Sequence, residues 1–358
     1  MIIESGKCLD RFEFLIIFSA FAKKCGWSVN KQSKTELYLK NSYGNYLQIM
    51  LDYVNANGAN VGLFAGVLGF DANLDFENQP GYSRLNQHSA YSSSAQITTA
   101  LFFNYKNKVD YDMEGYTLVG DSDTLFCNME LRPNATYSFF SSNLKKFHDF
   151  NGGHIIFSDC FAGYGPYGSY NRMSKDAKCI INTNYTPFEL VQYEDNNSLF
   201  NILVGGKWHT NQSNSPRDTY NLITKSRIMT NLQEWNEFLT TLNRQSKTNA
   251  YYINNKDYIK LSALSVYEIA KVIKDKNTGL NVMIAPEFFY KNDLESWTHA
   301  GVLEKIRVVG FLGLKNKAQL YMGGENFMVF EPHGDLYSCD KEVGYKRNRF
   351  GLAVKLWW

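Results

Sequence analysis

The apolar and polar positions of this chain change period several times. Residues 9–25 (LDRFEFLIIFSAFAKKC) repeat apolar side chains at helical spacing. Asp10 stands where an N-cap belongs and Gly26 where a helix stops. The spacing therefore predicts an amphipathic helix with a broad apolar face, a core helix in preference to one lying on a membrane or a partner. The pattern then shifts to short apolar or alternating runs at 35–42, 45–54 and 61–70, separated by Tyr43-Gly44-Asn45 and by residues 55–60. That predicts an antiparallel meander. A polar, Ser-rich stretch at 82–94 reads as exposed loop. The strand rhythm resumes at 96–105, 114–120, 123–131, 136–144 and 152–161, with further strands at 177–183, 188–193 and 199–205.

The second half is less uniform. Residues 208–217 are polar and read as a surface loop. Within 219–245, Leu222, Ile223, Leu232, Trp235, Phe238, Leu239 and Leu242 recur at i, i+3, i+4 spacings, which predicts a mid-chain helix best formed over 230–243. Residues 250–260 read as strand and turn. Residues 262–275 stay open between helix and strand, because β-branched residues pull one way and Ala, Glu and Lys the other. Strands return at 281–289, 305–312, 318–322, 326–331 and 350–357. The apolar run ending in Leu356-Trp357-Trp358 reads as paired or docked. The expected fold is mainly β with a few helices (α+β): antiparallel sandwich or barrel-like sheets, one N-terminal helix and one mid-chain helix. It divides near 208–217 into a β-rich unit, 1–205, and an α+β unit, 206–358, or forms one compact body.

Composition sharpens this. The 358 residues suffice for two domains or one large one, and 44% of them are hydrophobic. With 24 Tyr and 25 Phe, the aromatic content favours pleated, half-buried surfaces. A net charge of +2 without a long single-sign run gives no nucleic-acid groove. The densest basic patch, Lys346-Arg347-Asn348-Arg349, is short enough to be a solvated turn. Cys8, Cys25, Cys127, Cys160, Cys179 and Cys339 show no CxxC and no His at ligand spacing, which argues against zinc and for free thiols in a reducing compartment. Glu4, Asp10 and Glu13 interrupt any signal-peptide pattern, and no apolar run is long enough to span a bilayer, so no membrane partner is expected.

The search for chemistry finds no converging set. The six histidines make no HxxxH or HExxH, and no GxSxG occurs. Asp71, Asp75 and Glu77 lack the Gly and final Glu of an EF-hand, so they read as a solvated acidic turn rather than a calcium loop. His148 and His154 bracket Asp149 and Asn151-Gly152-Gly153, which reads as a turn into a strand rather than a metal site. The expectation is a protein without catalytic residues or cofactor. Residues 161–172 (FAGYGPYGSYNR) place Tyr164, Tyr167 and Tyr170 three apart, either as a sugar-stacking platform or, preferred, as a loop packed on a neighbouring subunit.

Residues 61–81 (VGLFAGVLGFDANLDFENQPG) are too glycine-rich for a helix. They read as a buried strand whose glycines allow close backbone contact, then an acidic Asn-rich turn. Pro80-Gly81 suits the centre of a type II turn. A phosphate-binding loop is the alternative, but neither GK[ST] nor a helix pattern follows.

In this stretch Gly69-Phe70-Asp71, a gap, and Gln79-Pro80-Gly81 resemble the GFD…QPG signature of a group of tailed-bacteriophage virion proteins. The likeness continues at 124–130 (TLFCNME). It also covers 136–154 (TYSFFSSNLKKFHDFNGGH), where Leu144, Lys146, Phe147 and Gly152-Gly153 match a G-x-L-x-K, aromatic, Gly-Gly pattern. Asn143 stands in place of the Gly. Gly323-Gly324, Phe327-Met328-Val329-Phe330 and Gly351-Leu352-Ala353-Val354 are similar to the family's ending. The resemblance implies a structural component of the tail, baseplate or neck. It implies a homo-oligomer around the particle axis with other virion proteins as partners, made in the host cytoplasm and residing in the virion. Tyr164, Tyr167, Tyr170, Trp208, Trp357 and Trp358 are then the interface candidates. Two alternatives remain: a glycan- or receptor-binding tail module stacking on Tyr164, Tyr167, Tyr170 and Trp208, and a β-sandwich hydrolase with a close carboxylate pair.

Overall fold

The computed structural model describes residues 1–54, 60–80, 103–104, 113–131, 135–158, 200–204, 207–210, 222–230, 235–240, 282–291, 297–310, 314–330 and 350–357. In chain order the elements begin with β1 (Ile2–Gly6), α1 (Arg11–Lys24), β2 (Ser28–Gln32), β3 (Glu36–Lys40), β4 (Tyr46–Val54) and β5 (Asn60–Val67). A 3-10 turn, Phe76–Asn78, precedes β6 (Phe103–Asn104), β7 (Met113–Gly120), β8 (Leu125–Leu131), β9 (Ala135–Asn143), β10 (Lys145–Lys146) and β11 (Gly152–Ser158). Then come β12 (Phe200–Val204), β13 (Lys207–Thr210), β14 (Leu222–Thr230), β15 (Trp235–Thr240), β16 (Val282–Lys291) and β17 (Trp297–Val302). The last are β18 (Ile306–Gly310), β19 (Gln319–Met322), β20 (Glu325–Phe330) and β21 (Phe350–Leu356). The protein is mainly β, every pairing is antiparallel, and α1 is the one α-helix among the described residues.

The first sheet runs β1-β7-β8-β9-β11-β12-β13, the second β2-β3-β4-β5-β6, and the third β10-β17-β16-β18-β21-β20-β19 with the β14–β15 hairpin added on β16. The expected strands at 35–42, 45–54, 61–70, 114–120, 123–131, 136–144 and 152–161 all find counterparts. So do those at 281–289, 305–312, 318–322, 326–331 and 350–357. Strand β13 pairs with β12 and so extends the first sheet beyond residue 205.

Helix α1 forms for local reasons. Asp10 is extended, and its Oδ1 accepts from the amides of Phe12 (2.8 Å) and Glu13 (2.9 Å). Gly26 has φ +88°. Its amide donates to Lys23, and that of Trp27 donates to Ala22 (2.9 Å), a Schellman stop that the left-handed Gly makes possible. The buried face is phenylalanine-rich: Phe14 stacks on Phe18 (5.9 Å), Phe18 meets Phe139 of β9 (5.4 Å), and Phe14 meets Tyr116 of β7 (6.2 Å). Leu37, Leu39, Leu47 and Ile49 of the second sheet close the same core from the other side.

Strands β7, β8, β9 and β11 of the first sheet are buried on both faces. Leu118, Cys127, Met129, Phe139 and Ile156 belong to the helix core, while Val119, Phe126, Phe140, Ile155 and Phe157 fill the opposite face. There Phe126 meets Phe330 of the third sheet at 4.7 Å. Burial on both sides is why TLFC, SFFS and HIIF read as continuous apolar runs rather than alternating ones. Cys8, Cys25 and Cys127 are free and buried. Burial pushes the Cys8 and Cys25 thiols up to about 11 and about 12, so they pack rather than react.

The mid-chain helix expected over 230–243 is not formed. Residues 222–230 and 235–240 are strands β14 and β15. Every residue of β14 has a partner on β16, from Leu222↔Tyr290 to Thr230↔Val282, and the hairpin partners Thr224 with Thr240 and Met229 with Trp235. A distant ladder overrides a local periodicity that β-branched Ile223, Thr224, Ile228 and Thr230 already opposed. The surface loop expected at 208–217 is likewise strand in its first three residues, as β13. Strands β1, β2, β10 and β17 had no counterpart in the sequence pattern. The expected elements at 82–94, 161–172, 177–183, 188–193, 250–260 and 262–275 lie outside the described residues, as do Lys346–Arg349 and Cys160, Cys179 and Cys339.

His154 in β11 is fully buried, with its Nε2 3.0 Å from Ser141 Oγ. Burial holds its pKa down at about 3. The unfolded chain takes up a proton near pH 6.5, while the folded chain keeps the ring neutral, so this contribution is complete above pH 6.5 and is lost as pH falls toward 3. Urea titrations should therefore show wild type losing about 1 to 2 kcal/mol more stability than His154→Asn between pH 6.5 and pH 5. Parallel profiles for the two proteins would contradict that account.

Candidate functional site

The GFD…QPG stretch is built around one side chain. Gln79 is buried. Its Oε1 accepts from the Asp71 amide (2.9 Å), and its Nε2 donates to the carbonyls of Asp71 (2.9 Å) and Leu74 (2.8 Å). The amide thus replaces the backbone ladder that a tight acidic turn lacks. The Leu68 amide donates to Pro80 O (2.8 Å), which closes the loop. Phe70 and Phe76 then pack on Tyr38 at 4.9 and 6.3 Å, and Gln48 Nε2 donates to Phe76 O (2.9 Å). Asp71 caps Asn73 (2.9 Å) and Asp75 leads into the 3-10 turn, so the acidic cluster organises backbone. The motif covers the outer face of the second sheet. Gly81 lies outside the described residues.

The second motif is a strap. Strands β9 and β11 are neighbours in the first sheet, yet residues 144–151 between them leave that sheet. Leu144 stays buried, and its amide donates to Gly153 O (2.8 Å). Lys145 and Lys146 cross over as β10 and pair with Val302 and Gly301 of β17. A Cβ on Gly301 would overlap the Lys145 carbonyl oxygen and come within 3.0 Å of its carbon. Gly153, at φ +93°, leaves no room for a side chain beside Lys146. Lys146 Nζ donates to Phe150 O (2.7 Å) and lies 4.8 Å from that ring.

Over this strap lies an aromatic surface. Phe147 is exposed by 42% and meets the His299 ring at 4.2 Å. Phe150 lies 5.2 Å from His148 and 6.1 Å from Tyr290. His299 Nε2 is 3.0 Å from Glu287 Oε2, a carboxylate with no exposed surface. A buried acid thus lies directly behind a half-open imidazole. His148 is exposed beside Phe150, whereas His154 is sealed in the core, so the two do not meet.

The third convergence is the β7–β8 turn. Asp121 and Asp123 both bind Lys305, which lies just before β18. Asp121 Oδ2 is 2.8 Å from its Nζ, and Asp123 Oδ1 is in contact. Burial alone would push both carboxyls up. Hydrogen bonds from the pair and from the ammonium bring Asp121 below its ordinary value, whereas burial and its partner's charge leave Asp123 above. Lys305 is raised in turn. Asp121 and Asp123 thus share one internal cation at this turn.

Of the sequence-derived site residues, Tyr164, Tyr167, Tyr170 and Trp358 lie outside the described residues. Trp208 sits on β13 opposite Leu203. Trp357 follows β21 half exposed, with Lys355 Nζ 4.2 Å from its ring centre and Lys355 also binding Glu325. The aromatic surface of the strap was missed, because Phe147 and Phe150 were read only as parts of a motif, and His299 and Glu287 stand in strands of the other half of the chain. Among the described residues no three His, Cys, Asp or Glu converge as a metal site, and no helix is long and apolar enough to cross a membrane. No family model and no curated protein matches the sequence.

Gly301→Ala should release the strap. Trypsin cleavage after Lys145 or Lys146 is expected to accelerate well before global unfolding, measured by limited proteolysis and mass spectrometry, and an unchanged cleavage rate would contradict the packing at Gly301. Lys305→Met leaves two partly buried carboxylates unneutralised and should cost about 2 kcal/mol at pH 7. The loss should shrink at pH 4, where Asp123 takes up a proton and the repulsion ends. Urea midpoints at the two pH values read both effects.

Proposed function

We propose that this chain is a structural component of a tailed-bacteriophage virion, in the tail, baseplate or neck, acting through subunit interfaces rather than through catalysis. It assembles in the host cytoplasm as an oligomer around the particle axis, with other virion proteins as partners. The observation that carries the reading is the character of its motifs. Gln79 ties a loop and Gly153 lies where the strap returns to the first sheet, so these residues of the resemblance perform architectural work. Exposed Trp357 offers an aromatic anchor at the end of β21, a residue type enriched at subunit contacts. We further read the first and third sheets as the two faces of a β-sandwich. The Phe126–Phe330 contact and the Lys317–Glu130 ion pair (2.6 Å) support that reading.

The test joins light scattering on the purified protein with mass spectrometry of purified particles. A ring-sized oligomer, or a fixed stoichiometry in particles, supports the proposal, and a monomer absent from particles ends it. Removal of Trp357 and Trp358 should lower incorporation into particles while leaving the melting temperature of the purified chain nearly unchanged.

A further inference from the structure

We infer that Lys305 and Asp123 are the two ends of an intramolecular amide cross-link, which the chain forms without an external reagent and which fastens the first sheet to the third. Four side chains converge at the place. Lys305 Nζ touches Asp123 Oδ1 and lies 2.8 Å from Asp121 Oδ2. Thr124 is fully buried, and its Oγ1 donates to the same Asp123 Oδ1 (2.9 Å). The backbone is held on both sides. Asp121 Oδ1 accepts from the amides of Asp123 (3.2 Å) and Thr124 (3.1 Å), and the Asp121 amide donates to Thr124 O (2.9 Å). Lys305 O accepts from the Lys355 amide (2.8 Å). The side chains of Lys305, Asp121 and Asp123 expose only 18%, 23% and 15% of their surface.

A lysine between two equivalent carboxylates is an ion pair and nothing more. Here the two acids are unlike. Burial and the neighbouring Asp121 hold the Asp123 carboxyl above its usual range. Against the same burial, hydrogen bonds from Asp123 and Lys305 hold Asp121 below its own. Asp123 is thus the acid that keeps a proton, which makes its carbon open to attack, and Asp121 is the base. Lys305 is raised by its bonds to both acids, so its ammonium gives up a proton within the cluster and not to solvent. The step balances on these groups alone. Asp121 takes a proton from the ammonium, and the freed lone pair of Nζ bonds to Cγ of Asp123. The carbonyl electrons move onto Oδ1, where the Thr124 hydroxyl stabilises the charge. Asp121 returns its proton to the other oxygen, which departs as water, and takes the proton left on nitrogen. One C–N bond forms, one C–O bond breaks and one water leaves. The fixed approach of amine to carboxyl and the shielding from water favour the amide over its hydrolysis. The structure shows the groups before the bond forms.

The experiment is intact-mass spectrometry of the full purified chain, followed through prolonged incubation after folding. The mass should fall by one water. Tryptic digestion should then leave the Asp123 peptide joined to the Lys305 peptide, residues 182 apart in sequence, with no cleavage after Lys305. Lys305→Arg keeps the cation, and Asp123→Ala removes the acceptor; both should hold the full mass. Asp121→Asn keeps Oδ1 as acceptor for the turn but carries no proton, and should slow the loss of water roughly a hundredfold. A wild-type mass that never departs from that of the sequence overturns the inference, whichever variants fold. So does water loss confined to one peptide, a link at another pair, or a rate unchanged in Asp121→Asn. None of these outcomes bears on particle stoichiometry, so this inference and the virion reading fail separately.

Discussion

Lys305 reaches from the third sheet into the turn between β7 and β8 and places its ammonium between Asp121 and Asp123. The same turn receives Trp27 from the end of α1, whose indole Nε1 donates to Asp121 O (2.9 Å), and Ser42 from the second sheet, whose hydroxyl donates to Ser122 O (3.4 Å). Helix, second sheet and third sheet are thus all fastened to three residues of one turn of the first sheet, Asp121, Ser122 and Asp123. The bonds differ in kind. The indole and hydroxyl contacts satisfy backbone carbonyls that would otherwise be orphaned at a crowded turn, and the ammonium neutralises two carboxylates that burial and mutual repulsion would destabilise. Apolar packing explains why the sheets associate, since Phe14, Phe18, Phe139, Phe126 and Phe330 leave almost no surface to water. It does not fix their register, because such contacts are non-directional. The turn supplies the direction.

The same logic runs through the two motifs that first drew attention. The Asp71–Gln79 loop has no ladder of its own, so one glutamine amide acts as donor and acceptor for three backbone groups. The strap crosses from one sheet to another, so it needs a place where backbone can touch backbone, and Gly301 makes that place. In both cases the residue type follows from a local steric or hydrogen-bonding demand, and neither requires chemistry on a substrate.

What could be read from the sequence follows the same division between local and distant causes. Helix α1 was legible because Asp10 and Gly26 act within one turn of their own position. Strands β7, β8, β9 and β11 of the first sheet were legible because burial on both faces writes a largely apolar run. The stretch 222–240 was not, because its apolar spacing fits a helix as well as a strand and the deciding partner, β16, lies far along the chain. Strand β16 itself shows how context decides. Met283 and Ile284 pair with β18, residues from Glu287 onward pair with β17, and Pro286 falls between the two, where the ladder on that edge divides. A proline that would argue against a central strand in isolation is accommodated at this fork. The strap was half legible: its motif could be quoted, but β17, to which it docks, left no periodic trace.

This architecture also constrains where recognition can reside. Strands β7, β8, β9 and β11 of the first sheet have both faces covered, and Cys127 and His154 are sealed by the packing around them. The acidic pair at the β7–β8 turn has its charge neutralised by an internal cation. Groups able to meet another molecule are therefore displaced to the margins, where a strap or a strand end carries an aromatic ring out of the core. Phe147 and Trp357 are two such rings: His299, with Glu287 behind it, packs under one, and Lys355, bound to Glu325, lies against the other. A ring held open against its own tendency to bury is a cost to the isolated chain. Such a cost is reduced wherever another surface covers the ring.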